Sequence, residues 1–175
     1  MLMELIFNLG LLLIIVILLI LLSWVWPPDS PWAPRWRTKK ETARAAFKLA
    51  RLGKKDTVYE LGSGEAIALM VAASEFKAKG VGIEIEPFRF FLSKITVWRK
   101  GLNKEIKFVR GNFYKEDLSG ATVLYLYLVP QTLNRLIPKF RKELKKGTRI
   151  VSYKYEISLP LEKEDKKNEL RLYII

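Results

Sequence analysis

Two acidic side chains close two short apolar runs, Glu60 in Thr57 to Leu61 (TVYEL) and Glu84 in Val81 to Glu84 (VGIE). The first run passes directly into Gly62-Ser63-Gly64-Glu65-Ala66, where two glycines let a backbone approach a ligand closely. Glu84 follows Gly62 by 22 residues, a spacing that lets a carboxylate accept both hydroxyls of a ribose. A dinucleotide site wants G-x-G-x-x-G/A so that a helix N-terminus meets the pyrophosphate, and the third position here is Ile67. A carboxylate beside the turn repels a pyrophosphate and attracts a cation.

S-adenosylmethionine satisfies these conditions, since it carries a ribose, an ammonium and a sulfonium but no phosphate. Its expected contacts are Glu60, Gly62, Ser63, Gly64 and Glu65 in the first turn, and Glu84 and Ile85 at the second. Methyl transfer from a sulfonium is an in-line displacement, so most of the acceleration comes from positioning. The chain has no Cys and no His, which removes thiolate nucleophiles, imidazole bases and Cys/His zinc sites. No metal site is expected.

The carboxylates need strands beneath them. Thr38 and Glu41 read as a capping box for a helix with Ala45, Ala46, Leu49, Ala50 and Leu52 on one face, ending near Gly53. Strands follow at Thr57 to Leu61, Gly80 to Ile85, Ile106 to Val109, Thr122 to Val129 and Thr148 to Tyr155, with a last one at Leu170 to Ile175. Helices lie between them at Ala66 to Lys77, Pro87 to Lys100 and Gln131 to Lys145. Glu162 to Asn168 has no residue to bury and reads as a solvated turn. The alternation predicts an α/β, Rossmann-like, doubly wound and mostly parallel sheet, with the ligand where strand order reverses.

Leu5 to Trp26 carries no charge, and at ~1.5 Å per residue it spans ~33 Å, the hydrocarbon core of a bilayer. Residues 1–26 are expected to form one transmembrane helix, 27–37 a Pro/Trp-rich juxtamembrane linker, and 38–175 a single catalytic domain. Trp24, Trp26, Trp32 and Trp36 suit an interfacial belt. Arg35, Arg37, Lys39 and Lys40 follow the span and Glu4 precedes it, so the N-terminus is expected outside and the catalytic domain in the cytoplasm. The net charge of +13 fits an anionic inner leaflet or nucleic acid, and the span favours lipid.

Over Thr38 to Tyr155 the sequence resembles class I S-adenosylmethionine-dependent methyltransferases. Within them it is similar to the small membrane-anchored lysine methyltransferase family that includes the mitochondrial ATP-synthase c-subunit and adenine-nucleotide-translocase lysine methyltransferases. The matching stretches are VYELGSGE from Val58, GVGIEIEP from Gly80, GNFYKEDLS from Gly111 and LVPQTLNRLIPKFRKELKKGTRIVS from Leu128. The resemblance implies contacts to the adenine end from Asn112, where the class often has Asp, and from Phe113, with Trp36 to Thr38 covering the cofactor. Ala66 stands where the class has a third glycine. The antiparallel strand pair that usually closes the fold is expected to be shortened after Tyr155.

A lysine acceptor must lose a proton from pKa ~10.4, which an aromatic, desolvating pocket favours. Tyr125, Tyr127, Pro130 and Gln131 lie at or beyond the end of the fourth strand, and Tyr127 and Gln131 are the candidates for orienting the acceptor. The leading expectation is methylation of lysine on a membrane-associated protein. A lipid headgroup or RNA acceptor, and a non-catalytic tethered binding module, stay open, as does the oligomeric state.

Overall fold

The computed structural model describes residues 2–25 and 37–175, and side chains from Met3 to Leu21 and from Arg37 onward. Residues 27–36 of the expected linker, with Trp32, Arg35 and Trp36 among them, and also Trp24 and Trp26 therefore lie outside the described side chains. Helix α1 (Leu2–Val25) is long and apolar enough to cross a membrane. Every side chain from Met3 to Leu21 is exposed, so none of the described residues covers it as a core would.

Beyond it run α2 (Lys40–Leu49), β1 (Thr57–Leu61), α3 (Ile67–Phe76), β2 (Lys79–Glu84), α4 (Pro87–Arg99), β3 (Ile106–Arg110), β4 (Val123–Leu126), α5 (Pro130–Glu143), β5 (Arg149–Tyr153), β6 (Leu161–Asp165) and β7 (Leu170–Ile174). The sheet order is β3-β2-β1-β4-β5-β7-β6; the first five strands in this order are parallel, and β7 pairs antiparallel with both β5 and β6. Strand order reverses between β1 and β4, which sets the ligand crevice at their carboxyl ends.

Side-chain alternation sends Val58, Val123, Tyr125 and Val151 to one face, where they meet Ala46 and Phe47 of α2 and Leu69 and Ala72 of α3. Leu61, Leu124, Leu126 and Ile150 go to the other, under Leu133, Leu136 and Phe140 of α5. This two-sided burial is why the strands read as near-continuous apolar runs.

Four sequence expectations are corrected. Thr38 does not cap α2: the cap position is Lys39, without a side-chain bond, and the Thr38 hydroxyl instead lies 3.3 Å from the Tyr125 hydroxyl. Of the expected turn Glu162 to Asn168, only 166–168 turns, and 162–165 belong to an edge strand; an edge strand wet on both faces needs no apolar alternation, so its charges hid it. Arg171 of β7 pins it through Glu164 at 3.0 Å. The antiparallel closing pair is present as β6 and β7. The fourth strand is also shorter than the run Thr122 to Val129: pairing stops at Leu126, and Val129 is extended before Pro130.

At the opposite end of the sheet from the crevice, Arg149 ties β5 to the loop before β1. Its guanidinium donates to the carbonyls of Ala50 at 2.6 Å and Arg51 at 3.1 Å and pairs with Asp56, which also accepts from the Thr122 hydroxyl at 2.8 Å. Arg149→Ala is expected to lower unfolding free energy by about 2–4 kcal/mol, because it removes the cationic partner of a half-buried carboxylate and the donor to the Ala50 carbonyl. Denaturant unfolding measures this, and cofactor affinity at 25 °C is expected to stay at the wild-type value.

Candidate active site

The turn between β1 and α3 is built from left-handed backbone. Gly62, Gly64 and Ala66 have φ of 74°, 49° and 57°. Ala66 therefore carries the strain that a third glycine would relieve. The amides of Gly62 and Ser63 both donate to the Ile83 carbonyl, at 2.9 and 3.1 Å, locking the turn onto the end of β2.

Ser63 is buried over Gly82, where a Cβ would come within 2.7 Å of the Ser63 hydroxyl and 2.9 Å of Leu69 and Phe108. Gly82 is thus a packing requirement for the turn. Its signal in the sequence was a glycine inside an otherwise β-rich run.

Glu84 is 4% exposed and faces that turn. One carboxylate oxygen accepts the Gly64 amide at 2.8 Å and the other the Glu86 amide at 3.0 Å. Glu86 in turn caps α4, accepting from the amides of Phe88 at 2.7 Å and Arg89 at 2.9 Å, with Pro87 at the first helical position. The sequence reading found Pro87 but not Glu86. Ile85, between the two acids, is half-buried.

Glu60 is paired in register with Gly82 on one side and Tyr125 on the other, which puts it between β2 and β4. It is 6% exposed, and burial raises its carboxyl pKa well above the usual range. The amide of Leu69, in the first turn of α3, opposes that shift, and the charge of Glu84 adds to it. Its Oε2, like the hydroxyl oxygen of Ser63, has no hydrogen-bond partner among the described residues. A buried carboxyl with an unused acceptor, near the end of β1 and beside the glycine turn, fits the ammonium end of S-adenosylmethionine. Among the described residues no group of three acidic side chains is placed to hold a metal.

The remaining expected residues ring this centre at different depths. Glu65 is exposed and pairs with Arg37 at 2.6 Å, drawing the chain before α2 over the turn. The Thr38 contact to Tyr125 lies on the same side. Asn112, just after β3, accepts the Tyr114 amide at 3.0 Å. Phe113 is buried with Leu61 and Ile83 and tilted against Tyr114, so its ring supports the rim from beneath.

Tyr127, one residue past β4, is half-buried with its ring centroid 4.5 Å from that of Tyr153 at the end of β5. Sequence reading missed Tyr153, because adjacency of β4 and β5 brings it there. Tyr125 is fully buried, and desolvation raises its phenol far above the ordinary range, so it stays neutral at physiological pH. Tyr127 is raised as well, first by burial and then by Tyr153. Gln131 is exposed in the first turn of α5.

Comparison with known proteins agrees with this geometry. The family described as the ANTKMT methyltransferase domain matches residues 60–161, from the first carboxylate to the start of β6. A protein-lysine N-methyltransferase of Saccharolobus islandicus is 35% identical over 131 residues, covering 74% of this chain and 80% of that protein. The ATP-synthase c-subunit lysine N-methyltransferase of Xenopus laevis is 28% identical over 99 residues, covering 56% of this chain but only 43% of its own length. Among solved structures, an RNA methyltransferase from Salinibacter ruber in complex with S-adenosyl-L-homocysteine superposes with a TM-score of 0.77 at 29% identity, over 80% of this chain and 94% of that one. With the sheet order, the glycine turn and the paired carboxylates already in place, these likenesses assign the chain to the ANTKMT methyltransferase family, enzymes of the class I fold that use S-adenosylmethionine.

Proposed function

We propose that this protein is a membrane-anchored protein-lysine methyltransferase that acts on a membrane-associated protein, with α1 spanning the bilayer, the N-terminus outside and residues 38–175 in the cytoplasm. The observation that carries the lysine reading is the 35% identity to a protein-lysine N-methyltransferase across most of both chains. The aromatic walls at Tyr127 and Tyr153 support it, since they suit the stem and amine of a lysine. The anchor rests on the length and uniform apolarity of α1 and on the basic residues Arg35, Arg37, Lys39 and Lys40 behind it.

In this reading Glu84 accepts the ribose hydroxyls, Glu60 and the backbone of Gly62, Ser63 and Gly64 hold the amino-acid end, and Asn112 with Ile85 borders the adenine. The bound cofactor supplies a methyl group activated by a sulfonium. Tyr127 and Tyr153 desolvate the incoming amine, which favours its neutral form, and Gln131 orients the backbone that carries it. Held by Glu60, Glu84 and the Gly62 to Gly64 backbone, the cofactor would supply its methyl group to the neutral amine that Tyr127 and Tyr153 desolvate, and the proton of the methylated amine would pass to solvent. The raised phenols of Tyr125 and Tyr127 keep these groups from acting as anionic bases at neutral pH.

Incubation with radiolabelled S-adenosylmethionine and cognate membranes is expected to label a protein band whose hydrolysate contains methyl-lysine. Label confined to lipid would move the acceptor to a headgroup. Label confined to RNA would favour the reading suggested by the Salinibacter ruber protein. Tyr127→Ala is expected to lower kcat about 10- to 100-fold while the Kd for S-adenosylhomocysteine changes less than about threefold, because the ring faces the acceptor and not the cofactor.

A further inference from the structure

Helix α4 is amphipathic in the wrong sense for a purely soluble domain. The side it turns to the sheet is made of Pro87, Phe90, Ser93 and Val97, with the Phe90 ring edge-on to Phe108 of β3, whereas Phe88, Phe91, Leu92, Ile95 and Trp98 form a continuous i, i+3, i+4, i+7 stripe that faces out. Phe88 is 66% and Trp98 68% exposed. A row of five large apolar side chains on one helix is a patch that calls for a partner.

The charge around the stripe says which partner. Between Pro87 and Arg110 the sequence has seven Lys or Arg and one acid, Glu105. Of these, Lys94, Arg99 and Lys100 are exposed on or just after α4, where their alkyl stems can lie along the apolar stripe with their charges outward. An apolar stripe edged with cations is the pattern of a helix lying in the headgroup region of an anionic bilayer. A protein partner of an apolar stripe would not require this one-sided charge. Helix α1 also comes close to α4.

We infer that α4 is a second membrane contact: it lies in the plane of an anionic lipid surface, with Phe88, Phe91, Leu92, Ile95 and Trp98 immersed in the headgroup and upper acyl region. This goes beyond anchoring by α1, because it fixes the orientation of the catalytic domain and not only its tether. A crossover helix runs antiparallel to its strands, so laying α4 flat brings the strand axes near the bilayer plane. The crevice then opens sideways along the membrane, towards lysines held close to its surface.

The absence of cysteine makes a direct test simple. The full chain is reconstituted into vesicles as Ile95→Cys or as Lys142→Cys, each labelled with an environment-sensitive fluorophore; Lys142 is exposed on α5, across the sheet from α4. With phosphatidylglycerol present, the label at position 95 is expected to blue-shift and to be quenched by nitroxide-bearing lipid, and the label at 142 to do neither. In phosphatidylcholine alone, or at high salt, quenching at 95 is expected to weaken. A label at 95 that reports water, as at 142, overturns the inference. So does one shielded from aqueous quenchers yet untouched by nitroxide lipid, which would mean that protein covers the stripe. Either negative leaves the anchor and the methyl transfer intact, since insertion of α1 and binding of S-adenosylhomocysteine are read independently in the same vesicles.

Discussion

Replacing Glu84 by glutamine is expected to weaken S-adenosylhomocysteine binding about 100-fold, measured by calorimetry on the otherwise intact chain. The carboxylate sits at the end of β2 with each oxygen already drawing one amide, Gly64 on one side and Glu86 on the other. In the proposed reading its remaining lone pairs receive the ribose. Two ribose hydroxyls donating there make charge-assisted bonds worth about 1.5 kcal/mol or more each, and about 3 kcal/mol corresponds to roughly two decades of affinity. Glutamine offers one acceptor and turns an NH2 group against an amide donor, so it loses the ribose contact and also loosens the Gly64 turn. Wild-type affinity in this variant would mean that the ribose is not held at the end of β2, and the assignment of the carboxylates would have to be abandoned.

Local patterns carried most of this geometry. Glycines flanked by acids at strand ends punctuate the chain over a few residues, so Glu60, Gly62, Gly64 and Glu84 were legible before any fold was known. Tertiary partners were not. Thr38 matched a capping box, yet its hydroxyl meets Tyr125, 87 residues away, and no local rule anticipates that contact. Tyr153 joins the site only because β5 pairs with β4. Pro87 and Gly101 mark α4 as a helix, but start and stop signals do not say which stripe is inside, and here the bulkier one is outside. The edge strand β6 failed for a related reason, since alternation appears only where one face of a strand is dry.

Glu60→Gln is expected to act with opposite signs on stability and on binding. Burial, reinforced by Glu84, raises the Glu60 pKa well above that of an unfolded glutamate. At pH values between the two, the folded free protein therefore binds more protons than the unfolded chain. Stability is then fully present below the unfolded pKa and is lost as pH rises through the folded one. Glutamine keeps an acceptor for the Leu69 amide but has no charge to desolvate, so the free variant is expected to have a higher Tm than wild type at pH 8 and a flatter Tm-pH profile. Binding runs the other way. A cationic amino group beside Oε2 pulls the carboxyl pKa back down, so the wild type releases a proton on binding and its affinity for S-adenosylhomocysteine rises with pH across that interval. In the variant this pH dependence is expected to vanish, with affinity at pH 8 lower by about tenfold or more as a charge-assisted bond becomes a neutral one. Calorimetry in two buffers of different ionisation enthalpy counts the released proton directly. If the wild type releases none and its affinity is flat with pH, Glu60 does not receive the ammonium, and its burial serves only to cap α3 through Leu69.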